Sequence, residues 1–333
     1  MKPITTKDIF QIADRYCDSA LLQHAHAAGV FDLLRQPHSA DELATAKGWL
    51  VSKTAILLDA LAALGLLLKE GALYRNAPAA DSVLVRGEPG YIGDLIEHER
   101  LQWGLWGQMD AVLRSPVAVP GQQDLNLPAN NYANTVFHRA MMQLAKELLG
   151  VVAGLPEWAG VQHALDLAGG HGLYLAEVAK RHPHLTGEVW DVASARKTAE
   201  AVIAAHGVAE RVRFVERDIA DPKTYEGVTA NAAMLNHCLH HFDHAGIRAI
   251  ARSVAGVLSR GGFVTILDVH LEPDRTAPVE SALFSLYMMV NTVHGQVHPT
   301  DEIAAVFTEA GFAVETRLLD SLEGDFLMVG RKR

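Results

Sequence analysis

One stretch of the chain, residues 164–175, constrains the fold more than any other. It reads Ala-Leu-Asp-Leu-Ala-Gly-Gly-His-Gly-Leu-Tyr-Leu, which is an apolar run, a glycine cluster and the start of an amphipathic segment. This order predicts a β-strand, a tight turn and a helix. Glycines in such a turn let backbone N–H groups approach a ligand, and the helix N-terminus beyond them favours electron-rich groups.

An acidic residue follows at the position where nucleotide-binding α/β folds hold ribose hydroxyls. Asp191 closes the next apolar run, 19 residues after Gly172, and a carboxylate at the end of the second strand has that role. The dinucleotide fingerprint is not met, because Leu175 stands at its third small position, and the chain has no phosphate-binding G-x-x-x-x-G-K-[ST] motif. We therefore expect a nucleoside-like cofactor without phosphates, commonly S-adenosylmethionine (SAM), bound by Gly169, Gly170 and Asp191. The alternative is that these glycines only form a turn.

Composition limits the possible partners. The 333 residues are 49% hydrophobic and 20% charged, so a large core is available, and the net charge of −10 argues against a general nucleic-acid binder. The N-terminus lacks the apolar core of a signal peptide, and the longest apolar run, 55–68, is too short to span a bilayer. We expect a cytoplasmic protein without nucleic-acid or membrane partners. Cys17 and Cys238 stand in apolar surroundings and are expected to be small core residues.

Residues 1–90 predict a helical module that ends in a β-hairpin, which together describe a winged helix. Helical spacing covers residues 7–35, Ser39 begins a capped helix, an apolar helix follows at 53–66, and 67–74 read as the hairpin. Residues 1–85 carry 8 Lys and Arg against 9 Asp and Glu, and the third helix has few side chains suited to base edges. A homodimerisation domain fits better than a DNA-binding one. A ligand-responsive winged-helix regulator remains the alternative.

Residues 91–155 predict long linking helices, broken at 115–121, that contribute to a substrate pocket. Most of their large apolar side chains are expected in the core, and some are expected to line a pocket for a flat aromatic ligand together with a later helix. The predicted substrate contacts are His98, Trp103, Met141, Met288 and Asn291. For His98, as for His138, a structural role is the alternative, because neither histidine belongs to a motif.

Residues 156–333 alternate between strands and helices, which predicts an α/β domain with a mostly parallel, doubly wound sheet. Strands are predicted at 163–168, 187–191, 211–215, 231–235 and 262–269, and an antiparallel pair at 313–320 and 325–330 completes a seven-stranded sheet. Ligands bind such sheets at the carboxyl ends of the strands.

A histidine-rich run at 237–244 follows the fourth strand and therefore falls at this edge. A neutral imidazole, with a pKa near 6.5, can take the proton of a phenol, with a pKa near 10, while the oxygen attacks. Asp268 ends the neighbouring strand and is placed to orient the base. A metal site is the alternative, but no further ligand follows at a known metal-binding spacing, so no metal is predicted. Asp218 and Ile219, after the third strand, are predicted to contact adenine, although Asp218 also suits a simple loop.

The whole chain resembles small-molecule O-methyltransferases of bacteria and plants that join a winged-helix dimerisation domain to a class I SAM-dependent methyltransferase domain. Residues 165–172 resemble the D-x-G-G-G-x-G cofactor loop of this family, and 239–243 resemble its L-H-D-W-D motif, whose histidine is the catalytic base. The resemblance implies that His240 is the base, that Asp268 is its flanking acid and that Asp191 binds ribose. Asp218 and Ile219 match the adenine-binding pair of the family.

The chain departs from the family pattern beside the predicted base. His241 and Phe242 replace an aspartate and a tryptophan, and Val297 stands where plant members have a second flanking glutamate. One carboxylate, rather than two, is therefore expected to orient His240. The expected reaction is methyl transfer to a hydroxyl of an aromatic or heteroaromatic metabolite. A nitrogen acceptor, or an enzyme of this fold that does not methylate, is the alternative.

Overall fold

The computed structural model describes residues 4–122, 131–322 and 324–333. The chain divides into two compact units, Met1–Leu101 and Gln102–Arg333. This division lies inside the 91–155 segment, and the domain boundaries at 90 and 155 stay predictions. No helix among the described residues combines the length and the apolarity that crossing a membrane requires.

The first unit contains short helices and a small antiparallel sheet. Its helices are α1 (Thr6–Asp14), α2 (Tyr16–Ala27), α3 (Val30–Leu33), α4 (Ala40–Lys47), α5 (Val51–Ala63), α6 (Pro78–Leu84) and the start of α7 (Gly93–Trp106). The strands β1 (His38–Ser39), β2 (Leu67–Glu70) and β3 (Leu73–Asn76) form a sheet in the order β1-β3-β2. The Ser39 hydroxyl accepts from the Glu42 N–H while the Glu42 carboxylate accepts from the Ser39 N–H, so α4 begins with the predicted capping box.

The apolar side chains of this unit lie partly in its core and partly on its surface. Phe31, Leu58 and their neighbours form its core, whereas α1 has no buried residue and Phe10 is 67% exposed. On α5, Ile56 is 71% exposed. The prediction for Cys17 was wrong, because this thiol is exposed on α2. The helix α1 has no buried residue, and α2 enters the core only near its end, at Ala25.

The second unit is an α/β domain. Its helices are α8 (Met109–Arg114), α9 (Tyr132–Ala153), α10 (Leu173–Arg181), α11 (Arg196–Ala205), α12 (His244–Val257), α13 (Val279–Asn291) and α14 (Thr300–Glu309). Its strands are β4 (His163–Leu167), β5 (Thr186–Asp191), β6 (Val212–Glu216), β7 (Ala230–Asn236), β8 (Leu258–Val269), β9 (Phe312–Leu318) and β10 (Asp325–Lys332). They form one seven-stranded sheet in the order β6-β5-β4-β7-β8-β10-β9. The predicted fold class is confirmed.

The sheet positions the site through its strand order. The first five strands in this order run parallel, and β10 runs antiparallel to both β8 and β9. Apolar clusters cover the sheet and fix its strands. Because the chain order reverses between β4 and β7, a crevice opens at their carboxyl ends. The loops after β4, β5, β7 and β8 all reach this edge.

Candidate cofactor site and active site

The glycine loop after β4 is shaped by contacts that exclude side chains at two positions. A Cβ on Gly169 would lie 2.5 Å from the Asp166 carboxyl carbon, and Gly172, with φ +68°, begins α10 against Val189. Gly170 differs, because the nearest atoms to a Cβ there would be Asp191 Oδ2 at 3.9 Å and His138 Nδ1 at 4.0 Å. The backbone of Gly170 therefore faces space that a ligand can occupy.

Two residues other than glycine adopt left-handed backbone conformations at the ends of the two central strands. Ala168 follows β4 with φ +54°, and His237 follows β7 with φ +48°. Residues with a Cβ pay about 1–2 kcal/mol for this conformation. The two strained positions therefore flank the point where the strand order reverses. Ala168 occupies the first glycine position of the D-x-G-G-G-x-G motif that this loop resembles.

Asp191 lies beside the glycine loop, as predicted. Its Oδ2 accepts from the Gly170 N–H at 2.7 Å, and its Oδ1 accepts from the Val192 N–H at 2.7 Å. Burial raises the pKa of Asp191 to about 6, although both hydrogen bonds act to lower it. Each oxygen has a second lone pair, so the carboxylate can accept hydrogen bonds from vicinal hydroxyls while it holds the loop.

The predicted adenine-binding pair is divided between surface and core. The Arg217 N–H donates to the Asp191 carbonyl at 3.0 Å and ties this loop to the end of β5. Ile219 is buried in an apolar cluster that includes Trp190 and Tyr225. Asp218 is exposed, and its Oδ1 accepts from the Ala220 N–H at 2.8 Å, which is the loop role that the sequence also allowed.

Asp166 is a functional candidate that the sequence analysis did not single out. Its side chain is buried below Gly169, and neither carboxylate oxygen has a hydrogen-bond partner among the described residues. Burial and the nearby charge of Asp191 raise the pKa of Asp166 to about 8. A buried carboxyl without a partner, at the base of a loop open to a ligand, suits a cationic group. The signal in the sequence was its position, because Asp166 lies within residues 165–172, which resemble the D-x-G-G-G-x-G cofactor loop.

The predicted base and its predicted orienting acid form a buried pair. His240 Nδ1 lies 2.6 Å from Asp268 Oδ1, and both side chains are nearly inaccessible to solvent. Asp268 Oδ1 also accepts from the Val269 N–H, and Oδ2 accepts from the Leu239 N–H. The carboxylate partner assigns the Nδ1–H tautomer to His240, which makes Nε2 the basic atom.

The charge on Asp268 is maintained by its partners. Burial acts to raise its pKa, but the adjacent His240 imidazole, its hydrogen bond and His237 together lower the pKa of Asp268 to about 2. The neighbouring imidazole of His241 lies 4.8 Å from that of His240, measured between ring centroids. Burial and His240 lower the pKa of His241 to about 3. Val297 is buried in an apolar cluster, so it supplies no second carboxylate.

Aromatic rings continue from the base along α13. Phe284 packs edge-on against the His240 ring at 5.2 Å, and Tyr287 stacks on Phe284 at 5.8 Å between centroids. Trp106 lies 6.3 Å from Tyr287. Phe284 was missed in the sequence because an aromatic residue on an apolar helix carries no signal of its own. This series of rings gives the region around His240 an apolar, flat-sided character.

The predicted substrate contacts occupy different environments. Met288 is buried and approaches Gly295, whose Cβ position is 3.0 Å from the His240 carbonyl. Asn291 is buried, and its Oδ1 has no partner among the described residues. Trp103 is 43% exposed, and the Met141 carbonyl contacts His171 on the cofactor loop. His98 is buried in the first unit, and burial lowers its pKa to about 4. Their roles in substrate binding stay predictions.

Two further polar residues, beyond those predicted from the sequence, lie at the edge of the crevice. Asn236 ends β7, and neither of its amide atoms has a hydrogen-bond partner among the described residues. His138 Nε2 lies 3.4 Å from Ser194 Oγ, and burial lowers the pKa of His138 to about 4, so its imidazole is neutral at pH 7. Such orphaned or neutral polar groups beside an open loop are suited to ligand contact.

Comparison with known proteins identifies the family of this chain. Residues 128–313 match the O-methyltransferase domain family, and residues 10–86 match the O-methyltransferase dimerisation domain. The chain therefore belongs to the O-methyltransferase family. The predictions of a methyltransferase, of the O-methyltransferase class and of SAM as its cofactor are confirmed at the level of this family.

Individual relatives cover from 81% to 99% of this chain. The structure of an O-methyltransferase family protein from Burkholderia thailandensis is 40% identical, covers 99% of this chain and 98% of that one, and has a TM-score of 0.93. The N,N-dimethyltransferase OxyT of Streptomyces rimosus is 29% identical, over 98% of this chain and 96% of its own. The 3-hydroxy-5-methyl-1-naphthoate 3-O-methyltransferase of Streptomyces sahachiroi is 30% identical, over 81% and 77%.

Proposed function

We propose that this protein methylates a hydroxyl oxygen of a small aromatic metabolite, with His240 as the general base and Asp268 as the residue that orients it. The observation that carries this proposal is the buried His240–Asp268 pair, with 2.6 Å between Nδ1 and Oδ1. It lies at the same edge of the sheet as the glycine loop. Two relatives, one named as a naphthoate 3-O-methyltransferase and one as an N,N-dimethyltransferase, support an aromatic hydroxyl as the first acceptor to test and an amine as the second.

The cofactor-side residues fit a SAM molecule. When bound, SAM supplies a methyl group on a positively charged sulfur. The Asp191 carboxylate is placed to accept from ribose hydroxyls while it holds the Gly170 N–H. Ile219 offers an apolar surface to adenine, and the unpartnered Asp166 is a carboxyl group that can ionise when the ammonium end of the cofactor lies beside it.

The acid–base residues remove the acceptor's proton. His240 Nε2 takes the proton of the hydroxyl as its oxygen attacks the methyl carbon, and Asp268 stabilises the imidazolium that forms. Because the displacement requires oxygen, carbon and sulfur in line, positioning of the acceptor supplies much of the rate. Phe284, Tyr287 and Met288 provide apolar surfaces that hold a flat ring beside the base.

Product analysis with a matched histidine control tests the reaction. The wild-type protein, SAM and a panel of hydroxylated aromatics are incubated, and mass spectrometry is expected to find products heavier by one CH₂ unit together with S-adenosylhomocysteine. The substitution His240→Ala is expected to lower kcat by roughly 10²–10⁴-fold, with the Kd for SAM nearly unchanged. The control is His184→Ala, at an exposed position before β5, where kcat is expected to stay within about twofold of the wild type.

The same experiment separates the alternatives. Product formation without S-adenosylhomocysteine would indicate an enzyme of this fold that does not methylate. Methylation of amines alone would replace the hydroxyl acceptor. A near-normal kcat for His240→Ala would remove the assignment of the base.

We also propose that the first unit forms a homodimer. Residues 10–86 match a dimerisation domain, and the exposed apolar side chains on α1 and α5, including Phe10 and Ile56, are of the kind that a partner chain covers. Light scattering is expected to give twice the chain mass for the wild type and the chain mass for the double substitution Phe10→Asp, Ile56→Asp. The control Leu322→Asp, at an exposed loop position, is expected to stay dimeric. A monomeric wild type would contradict the proposal.

A further inference from the structure

Three potential metal ligands meet outside the catalytic pair. His244 is the first residue of α12, His298 lies in the segment between α13 and α14, and Glu302 lies in the first turn of α14. One ligand atom from each lies within 4.8 Å of the others. The imidazoles of His244 and His298 are also in edge-to-face contact, with 4.8 Å between ring centroids.

His298 is oriented as a metal-binding histidine is. Its side chain is buried, with 1% of its surface exposed. Its Nε2 donates to the Phe242 carbonyl at 2.8 Å, and its Nδ1 is buried with no partner among the described residues. A backbone carbonyl on one ring nitrogen fixes the tautomer and leaves a lone pair on the other nitrogen, which is the usual outer-shell arrangement of a ligating histidine. Burial also lowers the pKa of His298, which favours the neutral ring.

His244 and Glu302 lie on the solvent side of the cluster. His244 Nε2 is 2.6 Å from Glu302 Oε2, and their side chains are 40% and 33% exposed. The Arg275 guanidinium donates to both oxygens of Glu302, at 2.8 and 2.9 Å. Burial acts to raise the pKa of Glu302, but the hydrogen bonds and charges of His244 and Arg275 lower it. The cluster thus presents two imidazoles and one ionised carboxylate, and an ion can reach it from solvent.

We propose that His244, His298 and Glu302 bind a divalent transition-metal ion, with His298 contributing Nδ1. Imidazole nitrogen with a single carboxylate favours Zn²⁺, Ni²⁺ or Cu²⁺ over Mg²⁺ or Ca²⁺, which prefer oxygen ligands. Two ligands on a tetrahedral Zn²⁺, each at about 2.0–2.2 Å, lie roughly 3.3 Å apart. The His244–Glu302 separation therefore opens by less than an ångström, and the proton shared between the two groups leaves when His244 Nε2 coordinates the ion.

The position of the cluster gives metal binding a structural consequence. The Phe242 carbonyl, which orients His298, lies two residues after His240, and the Gln296 N–H donates to the His240 carbonyl at 2.9 Å. An ion held by His244, His298 and Glu302 would join the 240–244 segment to the start of α14. Because the three ligands meet only when the chain is folded, the ion is expected to bind the folded state more tightly and to raise the thermal midpoint.

Titration of the untagged, chelator-treated protein tests the site. Calorimetry with ZnCl₂ is expected to give one ion per chain, and Co²⁺ is expected to produce visible absorption bands of low-symmetry coordination. The substitutions His298→Ala and Glu302→Gln are expected to weaken Zn²⁺ binding by about tenfold or more. Arg275→Leu is expected to tighten it, because the guanidinium competes for Glu302 and repels the ion. The control His184→Ala, at an exposed histidine outside the cluster, is expected to bind Zn²⁺ as the wild type does.

Two results would overturn the metal site. One is the absence of stoichiometric Zn²⁺ binding by the wild type. The other is unchanged binding after both His298→Ala and Glu302→Gln, which would assign the ion to other histidines. Because His298 is buried and its removal can unfold the chain, the partly exposed Glu302→Gln keeps the test decisive, with circular dichroism to verify its fold. None of these readouts depends on methyl transfer, so failure of the proposed function leaves the metal test intact.

Discussion

Two buried carboxyl groups at the same edge of the sheet are in opposite electrostatic states. Asp166 in β4 is 1% exposed and Asp268 near the end of β8 is 2% exposed, with β7 between them. Asp268 accepts from two backbone N–H groups and from His240, whereas Asp166 has no hydrogen-bond partner among the described residues. The pKa of Asp268 is about 2 and that of Asp166 is about 8.

The difference shows that partners, not burial, decide which of these groups is charged. Burial is the largest influence on both and raises both pKa values, and only Asp268 has donors that outweigh it. The Asp268 carboxylate therefore has its hydrogen-bond partners without a ligand and stays charged beside the base. The Asp166 carboxyl lacks such partners, and a bound cation would supply one.

The largest expected effect comes from neutralising Asp268, the carboxylate that has hydrogen-bond partners. We expect Asp268→Asn to lower kcat by roughly 10²–10⁴-fold, because an amide can present its N–H to Nδ1 and impose the wrong tautomer on His240. The measurement is the single-turnover rate with saturating SAM and acceptor. A matched control is Asp325→Asn, a buried carboxyl on β10 that lies 3.8 Å from His237 Nδ1. We expect that variant to keep kcat within about tenfold of the wild type. Equal losses of kcat in the two variants would show that Asp268 has no specific role in orienting His240.

The second effect is on the free energy of unfolding and comes from Asp166, the carboxyl group without hydrogen-bond partners. The pKa of Asp166 is about 8 when folded and near its ordinary 3.8 when unfolded, so the folded state holds the proton more tightly. Stability from this group is present below pH 4 and is lost as the pH rises toward 8. We expect Asp166→Asn to remove this slope and, at pH 8 without cofactor, to raise the free energy of unfolding by roughly 5 kcal/mol.

Urea unfolding at pH 5 and pH 8 measures this effect, with Asp218→Asn as the exposed control. The opposite sign holds for Asp268, whose lowered pKa contributes stability above pH 4 that is lost as the pH falls toward 2. If Asp166→Asn destabilised the protein equally at both pH values, Asp166 would be a charged structural residue and the contrast would fail.

The third effect is on cofactor affinity. We expect Asp191→Ala to weaken SAM binding by roughly 10- to 150-fold, since a hydrogen bond to a charged group contributes about 1.5–3 kcal/mol. Asp218→Ala is expected to weaken it less, because its Oδ1 already accepts from the Ala220 N–H. Calorimetry measures both Kd values. The reverse order would move ribose recognition away from Asp191.

The smallest effect concerns Ala168, the residue with a left-handed backbone conformation that follows β4. We expect Ala168→Gly to raise the free energy of unfolding by about 0.5–1 kcal/mol, because glycine adopts φ +54° without a Cβ penalty but loses more chain entropy. Ala164→Gly, within β4, is expected to lower it by a similar amount. Urea unfolding measures both, and destabilisation by Ala168→Gly would show that its methyl contact outweighs the backbone strain.

Much of this arrangement was predictable from the sequence. Strand spacing and the order of the loops placed Gly170, Asp191, His240 and Asp268 at one edge, because parallel strands end on the same side. The orphaned state of Asp166 was not predictable, since it depends on which donors the fold leaves out. The Asp218 turn and the exposure of Cys17 depend on local packing that periodicity does not encode.

The metal cluster shows the same limit from another direction. The histidine-rich run contains His244, but its partners His298 and Glu302 lie more than fifty residues further along the chain. No spacing rule for known metal motifs covers that separation. Only the packing of α14 beside the start of α12 brings them together.

The pH dependence of methyl transfer in His240→Ala tests the central claim most directly. With a phenol acceptor, the wild type is expected to reach its maximal single-turnover rate well below a pH of about 10, because His240 takes the proton during the attack. In the variant the acceptor must ionise unaided, so the rate is expected to rise toward a pH of about 10 and approach the wild-type rate there. Identical pH profiles for the two proteins would contradict the assignment of His240 as the base.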